Sequence, residues 1–157
     1  MTNPNVIDSF RGEFAFLSNF YSSPIRPKIP PLVDLIYPSV EHAYQAAKTN
    51  IPEEIMAIHD ADVRTAKKLG KTCTLRPEWD DWFAIRIMSR LVRLKFQHPT
   101  LQEKLLLTDG FELIEGNWWN DKFWGVCDGV GENNLGQILM KTREYYKQKR
   151  STVLDER

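Results

Sequence analysis

The segment Tyr37–Thr49 reads YPSVEHAYQAAKT and sets Glu41, Tyr44, Gln45 and Lys48 at offsets of zero, three, four and seven. At helical spacing these four share one face, with a carboxylate one turn from an aromatic ring and two turns from an amine. Ala43, Ala46 and Ala47 keep the remaining surface small enough for other backbone to pack close. Such a stripe is either a solvated salt-bridge face or an acid/base or nucleophile pair held in a cleft.

A second chemical segment is NWWNDKFWGVCDGVGENNLG, Asn117–Gly136, where three tryptophans fall within seven residues. Indole faces stack on a base or ribose, and loops on a rigid scaffold are where binding groups concentrate. Gly129 and Gly131 allow backbone to approach a phosphate, and the start of the following helix offers N–H groups. The alternative is that the tryptophans plug the core and the glycines make turns. GVGENNLG is not a dinucleotide fingerprint, because no clear strand of a βαβ unit precedes it. In FLSNF, Asn19 is either a polar contact to a base or sugar or a turn asparagine. In RPEWDDW, Trp79 and Trp82 straddle a helix start. Lys67, Lys68 and Lys71 around Gly70 are either a phosphate-holding cluster or a solvated face.

The elements that must position these groups are mostly helices. Ser39, with Pro38 before it, predicts a helix from Val40 to about Thr49. Glu53–His59 reads as a second helix, and Asp62 caps a third that ends at Gly70. From about Asp80 to Gln97, Trp82, Ile85, Met88, Val92 and Phe96 recur at helical period, which puts Trp82 in the core and leaves Trp79 off the stripe. Pro99 opens another helix, carrying Leu101, Leu105 and Leu106. Phe111–Glu115 reads as a short strand. Asn117–Asn134 is an ordered loop whose last Asn caps a helix from Leu135 to about Gln148. Nearer the N-terminus, Phe10–Tyr21 reads as a strand running into a turn. Pro24–Pro38, with five prolines, reads as a strand or hairpin arm. The expectation is a mainly α (α+β) fold in one domain over residues 10–148 with a small β element. An arm over 1–9 precedes it and a frayed charged tail over 149–157 follows.

Composition narrows the function classes. The chain has 157 residues, 42% hydrophobic and 27% charged, ordinary for one globular domain. Lys+Arg and Asp+Glu are both 21, which argues against coating nucleic acid by charge alone but not against gripping one nucleotide. Cys73 and Cys127 lack a CxxC partner, and His42, His59 and His98 form no HxH or HExxH pattern, so neither a zinc site nor a disulfide framework is expected. No apolar run approaches the roughly 18–20 residues of a membrane span, and MTNPNVIDSF has no signal-peptide pattern. A cytoplasmic location is expected.

In this order, FRGEFAFLSNFY, YPSVEHAYQAAK, AKKLG, a Trp before an IM-containing helix, LKF, LIEGN, FWG and GxNxLGxILMxxR resemble the NADAR/YbiA-like superfamily over about Phe10–Arg143. The resemblance implies a compact, mainly helical fold and N-glycosidase activity. One branch cleaves phosphorylated riboflavin-pathway intermediates, releasing ribose 5-phosphate from a diaminopyrimidine. Another removes ADP-ribose from guanine in nucleic acid. Both substrates bond C1 of a phosphorylated ribose to an amino nitrogen on a pyrimidine-like ring. The resemblance thus implies Lys48 as a covalent amine, Glu41 as proton shuttle or charge stabiliser, and Asp121 as a base for water. It implies Trp124 as a stacking wall, with Asn19, Phe20, Tyr44, Trp79, Gly125 and Asn133 as substrate contacts, Asn133 toward the phosphate end. No cofactor or metal is expected. Where the riboflavin branch follows its Trp-Gly with an acid and places basic residues in GKGKNRLG, this chain has Val126, Glu132 and Asn134, with Asp128 the nearest acid. That departure favours ADP-ribosyl–guanine, free or in single-stranded nucleic acid, over the riboflavin intermediates. A non-catalytic ADP-ribose reader is the third reading.

Overall fold

A computed structural model describes residues 4–32 and 34–156. In chain order the elements are β1 (Val6–Ile7), a 3-10 helix (Gly12–Leu17), α1 (Val40–Ala46), α2 (Pro52–Asp60), α3 (Val63–Thr72), α4 (Asp81–Lys95), α5 (Pro99–Leu106), β2 (Glu112–Leu113), β3 (Gly116–Asn117), β4 (Val126–Cys127) and α6 (Asn134–Asp155). The mainly helical reading with a small β element holds. The chain gathers into two compact units, one of Asn19–Lys95 and one of Met1–Ser18 with Phe96–Arg157.

In the unit of Asn19–Lys95, α1 packs on α2, α3 and α4, and all seven of its residues are buried. Ser39 caps it as expected. The Ser39 Oγ accepts from the His42 N–H at 3.2 Å and its hydroxyl donates to His42 Nδ1 at 2.7 Å, while Nε2 of the same ring donates to the Ala61 carbonyl at 2.8 Å. The backbone oxygen of Asn19 takes the Glu41 N–H at 3.1 Å, another donor the first turn leaves open. The helix is shorter than its pattern. After Ala46 the chain tightens, with Lys48 N–H bonding the Gln45 carbonyl three residues back, and Pro52 opens α2. Asp62 caps α3, accepting from Thr65 N–H at 3.0 Å, but α3 runs past Gly70 to Thr72. The Pro-rich arm closes by a single antiparallel bridge between Ile25 and Tyr37.

The apolar stripe of α4 is turned from the expected one. Its buried residues are Ala84, Ile87, Met88, Leu91, Val92 and Lys95. Trp82 lies roughly 120° around the helix from Met88 at about 100° per residue, and is 76% exposed. It is a surface residue and not core.

In the other unit, β1 pairs in parallel with β2, Val6 opposite Glu112 and Ile7 opposite Leu113, and β3 pairs in parallel with β4. The strand expected within Phe10–Tyr21 is instead the 3-10 helix, entered through Gly12 at φ +57°, and the strand pairing falls earlier, at Val6–Ile7. Residues 6–7 therefore belong to the folded unit rather than to an arm. α6 packs on α5 and β2. Its Arg143 Nη1 donates to the carbonyls of Thr108 and Phe111 at 2.8 and 2.9 Å. The helix continues to Asp155, so the segment from 149 is helical rather than frayed.

Lys95 closes α4 only 1% exposed, with its Nζ 5.5 Å from the Tyr21 ring centroid. Burial pulls its pKa down to about 7. The unfolded chain then holds this proton more tightly between pH 7 and 10.5, so stability rises with pH across that window and is lost as pH falls toward 7. Lys95→Met should raise unfolding free energy at pH 7 by on the order of 1–4 kcal/mol. It should also remove the gain the native chain shows between pH 7 and 9.5. Urea unfolding at the two pH values checks both, and a flat native profile would mean the amine is charged in place.

Candidate active site

The stripe Glu41–Tyr44–Gln45–Lys48 is not a solvated face. Glu41 is 7% exposed and Tyr44 and Gln45 are buried, while Lys48, in the turn after α1, is half-buried. Gln45 Nε2 donates to Glu41 Oε1 at 2.7 Å, the i, i+4 contact the spacing predicts. Burial pushes the Glu41 carboxyl above the usual carboxylate range, opposed by the Gln45 hydrogen bond and then by Lys67, Lys48 and His42. Burial pulls the Lys48 amine below the usual lysine range, and Glu41 and Cys73 oppose that. The two shifts bring the proton affinities of an acid and a base closer together, the direction that proton exchange between them requires.

Aromatic walls hold the amine. Lys48 Nζ lies 5.2 Å from the Tyr44 ring centroid. Tyr44 meets Trp79 at 5.6 Å, and Trp79 meets Phe83 at 5.6 Å. Trp79, off the α4 stripe as expected, is thus built into this wall. Asn19 is buried, its Nδ2 donating to the Met88 sulfur at 3.4 Å, and the neighbouring Phe20 presents its ring 5.5 Å from Lys67 Nζ. The fold therefore brings Glu41, Lys48, Tyr44, Trp79, Asn19 and Phe20 into one unit.

Lys67 is the residue the sequence reading underweighted. Lys68 and Lys71 are exposed, as a solvated face requires, but Lys67 is half-buried and acts on both Glu41 and Lys48. A signal was present in Gly70, a glycine inside an α-helix one turn beyond Lys67. A Cβ there would sit 1.8 Å from Gln45 Oε1 and 2.9 Å from Gln45 Cβ. Gly70 exists so that α3 can press against the Gln45 side chain that orients Glu41.

Asp121, Trp124, Gly125 and Asn133 lie in the other unit. Asp121 Oδ1 accepts from the N–H groups of Phe123 and Trp124 at 3.2 and 2.9 Å, an Asx-type turn that sets the Trp124 backbone. Trp124 meets Phe123 edge to face at 4.8 Å. Gly125 is a packing requirement, since a Cβ would come within 2.2 Å of the Glu115 carbonyl oxygen. Asn133, at φ +53°, accepts from Glu115 N–H at 3.0 Å and donates to the Leu113 carbonyl at 2.9 Å. Its amide braces the loop against β2.

The start of α6 corrects a further expectation. The helix begins at Asn134, with Asn133 in the capping position. Its first N–H groups do not await a phosphate: Asn134 and Leu135 donate to the carbonyls of Phe123 and Trp124 at 3.3 and 3.0 Å. The loop that precedes the helix in sequence has folded back over its N-terminus.

The NADAR domain matches residues 9–147. The chain belongs to the NADAR domain family. Among its relatives, the N-glycosidase YbiA of Shigella flexneri is 33% identical over 138 residues, 84% of this chain and 81% of its own length. An N-glycosidase of Nostoc punctiforme is 39% identical over 119 residues, 71% of this chain and 75% of its own. A riboflavin biosynthesis protein of Vibrio vulnificus is 38% identical over 82% of this chain, which spans 35% of that protein's length. The NMR structure of the E. coli protein YbiA matches with a TM-score of 0.79 at 28% identity, covering 95% of this chain and 89% of that one. N-glycosidase is the enzyme class of this NADAR chain. Among the described residues no helix is long and apolar enough to cross a membrane, and no group of His, Cys, Asp and Glu is placed to hold a metal ion.

In an open helix, Gly→Ala stabilises by about 1 kcal/mol. Here Gly70→Ala should destabilise by about 1–3 kcal/mol, because Gln45 cannot retreat at its Cβ; urea unfolding reads the sign. Glu41→Gln removes the charge that supports the Lys48 ammonium, so the Lys48 pKa should fall further. Proton-detected titration of 13Cε-labelled lysine, assigned with Lys48→Arg, checks the direction.

Proposed function

We propose that this NADAR chain hydrolyses the C1–N bond between a phosphorylated ribose and the amino nitrogen of a base, with ADP-ribose on guanine as the substrate. The observation that carries the reading is a buried Glu41 and a half-buried Lys48 acting on one another electrostatically, with burial raising the acid and lowering the amine. A reader of ADP-ribose needs neither group out of water.

The chemistry balances with one water. The ribosylamine opens to its imine as the ring oxygen leaves C1 and takes a proton. The uncharged Lys48 amine adds to C1. A proton from the Glu41 carboxyl moves to the base nitrogen, the C1–N bond breaks, and the base leaves as its free amine with the sugar held on Lys48 as a Schiff base. Water then adds to C1, gives up its proton toward Glu41, and displaces the Lys48 amine; the ring closes on the released sugar. Lys67 supplies positive charge beside the carboxyl, and the Tyr44 ring, backed by Trp79, faces the amine. In the other unit we assign Trp124 a stacking role. Asp121, whose Oδ1 is engaged with the loop backbone, is the alternative to Glu41 as base for water, tested by Asp121→Asn. Asn133 acts through the loop it braces. The riboflavin-type ribosylamino-pyrimidines remain the second substrate reading, favoured by the Vibrio vulnificus relative. Val126, Glu132 and Asn134 weigh against it.

The test incubates the chain with single-stranded DNA carrying ADP-ribose on one guanine and reads mass. The expected result is loss of the ADP-ribosyl mass with guanine restored. Borohydride added during turnover should fix the sugar on Lys48, located by peptide mapping. Lys48→Ala should lower kcat by at least about a thousandfold, and Glu41→Gln by about 10²–10⁴-fold, the usual range for a general acid. Turnover by Lys48→Ala at the native rate would sink the covalent route. An intact DNA adduct alongside cleavage of a phosphorylated ribosylamino-pyrimidine would transfer the assignment to that substrate.

A further inference from the structure

The tip of the Trp-rich loop is displayed rather than packed. Asn117 Nδ2 donates to the Asp121 carbonyl at 2.8 Å, and Asp121 N–H donates back to Asn117 Oδ1 at 3.0 Å. This closed clamp leaves Trp118, Trp119 and Asn120 outside it, with Asn120 at φ +65° turning the chain. Trp118 is 70% exposed and Trp119 45%, their rings 5.0 Å apart and nearly perpendicular. Holding that much indole in water opposes folding, and the clamp does not require it. The guanidinium of Arg11 stands 3.9 Å from the Trp118 ring centroid, and Lys122, just beyond the clamp, is exposed. Rigid aromatic faces with a stacked guanidinium are the chemistry that takes unpaired bases and the phosphates joining them.

We propose that Arg11, Trp118 and Trp119 form a stacking platform for one or two unpaired nucleobases of a single-stranded nucleic acid. The inference deepens the reading of a modified guanine within a strand and rests on it. The equal numbers of acidic and basic residues fit a short footprint in which stacking outweighs phosphate contacts. With about two phosphates neutralised, affinity for a single strand falls only about sevenfold between 50 and 200 mM salt.

Fluorescence anisotropy with an unmodified, labelled ten-nucleotide single strand and the same sequence as a duplex provides the test, using the full chain. The native protein should bind the single strand in preference to the duplex. Trp118→Ala/Trp119→Ala should weaken single-strand binding by about 10–100-fold, the effect of losing one or two stacks. Arg11→Gln should weaken it less, and circular dichroism confirms that both variants fold. No single-strand binding by the native chain, equal binding of the duplex, or native affinity in the double variant would each overturn the platform. So would native dimers in sedimentation that the double variant abolishes, which would give the patch to a second copy. Turnover is read separately on ADP-ribosyl-guanosine and on the modified strand. If neither is cleaved, the substrate reading fails while anisotropy still decides the platform. If both are cleaved, the double variant should narrow the KM advantage of the strand over the nucleoside.

Discussion

A buried acid and a half-buried amine that act on one another set the terms for the unit that holds them. Isolated burial of either charge is unfavourable by several kcal/mol, and their mutual attraction restores only part of that. The neighbourhood supplies the rest through specific contacts. Gln45 bonds the carboxyl, Lys67 adds charge, and Tyr44 offers its ring to the amine. α1 itself is short and fully buried, so its position depends on its ends. Ser39, His42 and the Asn19 carbonyl secure the first turn. Arg76 N–H bonds the Lys48 carbonyl at 2.8 Å at the other. Glu41 and Lys48 are therefore fixed by backbone bonds at both termini rather than by the strength of the helix between them.

Local patterns made much of this visible. The Ser39 and Asp62 caps, the proline opening α5, and the i, i+4 pairing of Glu41 with Gln45 are short-range signals with direct physical causes, and each stands where expected. Readings that needed tertiary information went astray. Trp82 fits a helical period begun at the wrong residue, because an exposed indole and a buried one look alike in a sequence. α1 stopped early because the chain tightens after Ala46, where Lys48 N–H bonds the Gln45 carbonyl three residues back. α6 continued to Asp155 because charged residues are good helix formers and do not by themselves announce an end. The covered N-terminus of α6 was illegible for a different reason: spacing reports where donors are, not which carbonyls reach them.

A glycine inside a helix carries tertiary information that its own helix does not explain. Gly70 is costly in a helix by propensity, and its presence is explained only by the Gln45 side chain across from it. The same logic links Gly125 to the Glu115 carbonyl. Both glycines mark places where a Cβ would collide with a specific neighbouring group, one in each unit.

The Asn117–Asp121 clamp has a consequence of another kind. It separates the three residues at the tip from the turn that sets Trp124, since the clamp closes at its own base and Asp121 carries the turn beyond it. Residues 118–120 are thereby set apart from that turn. Length and charge at the tip can therefore change over evolutionary time while the turn at Trp124 keeps its shape.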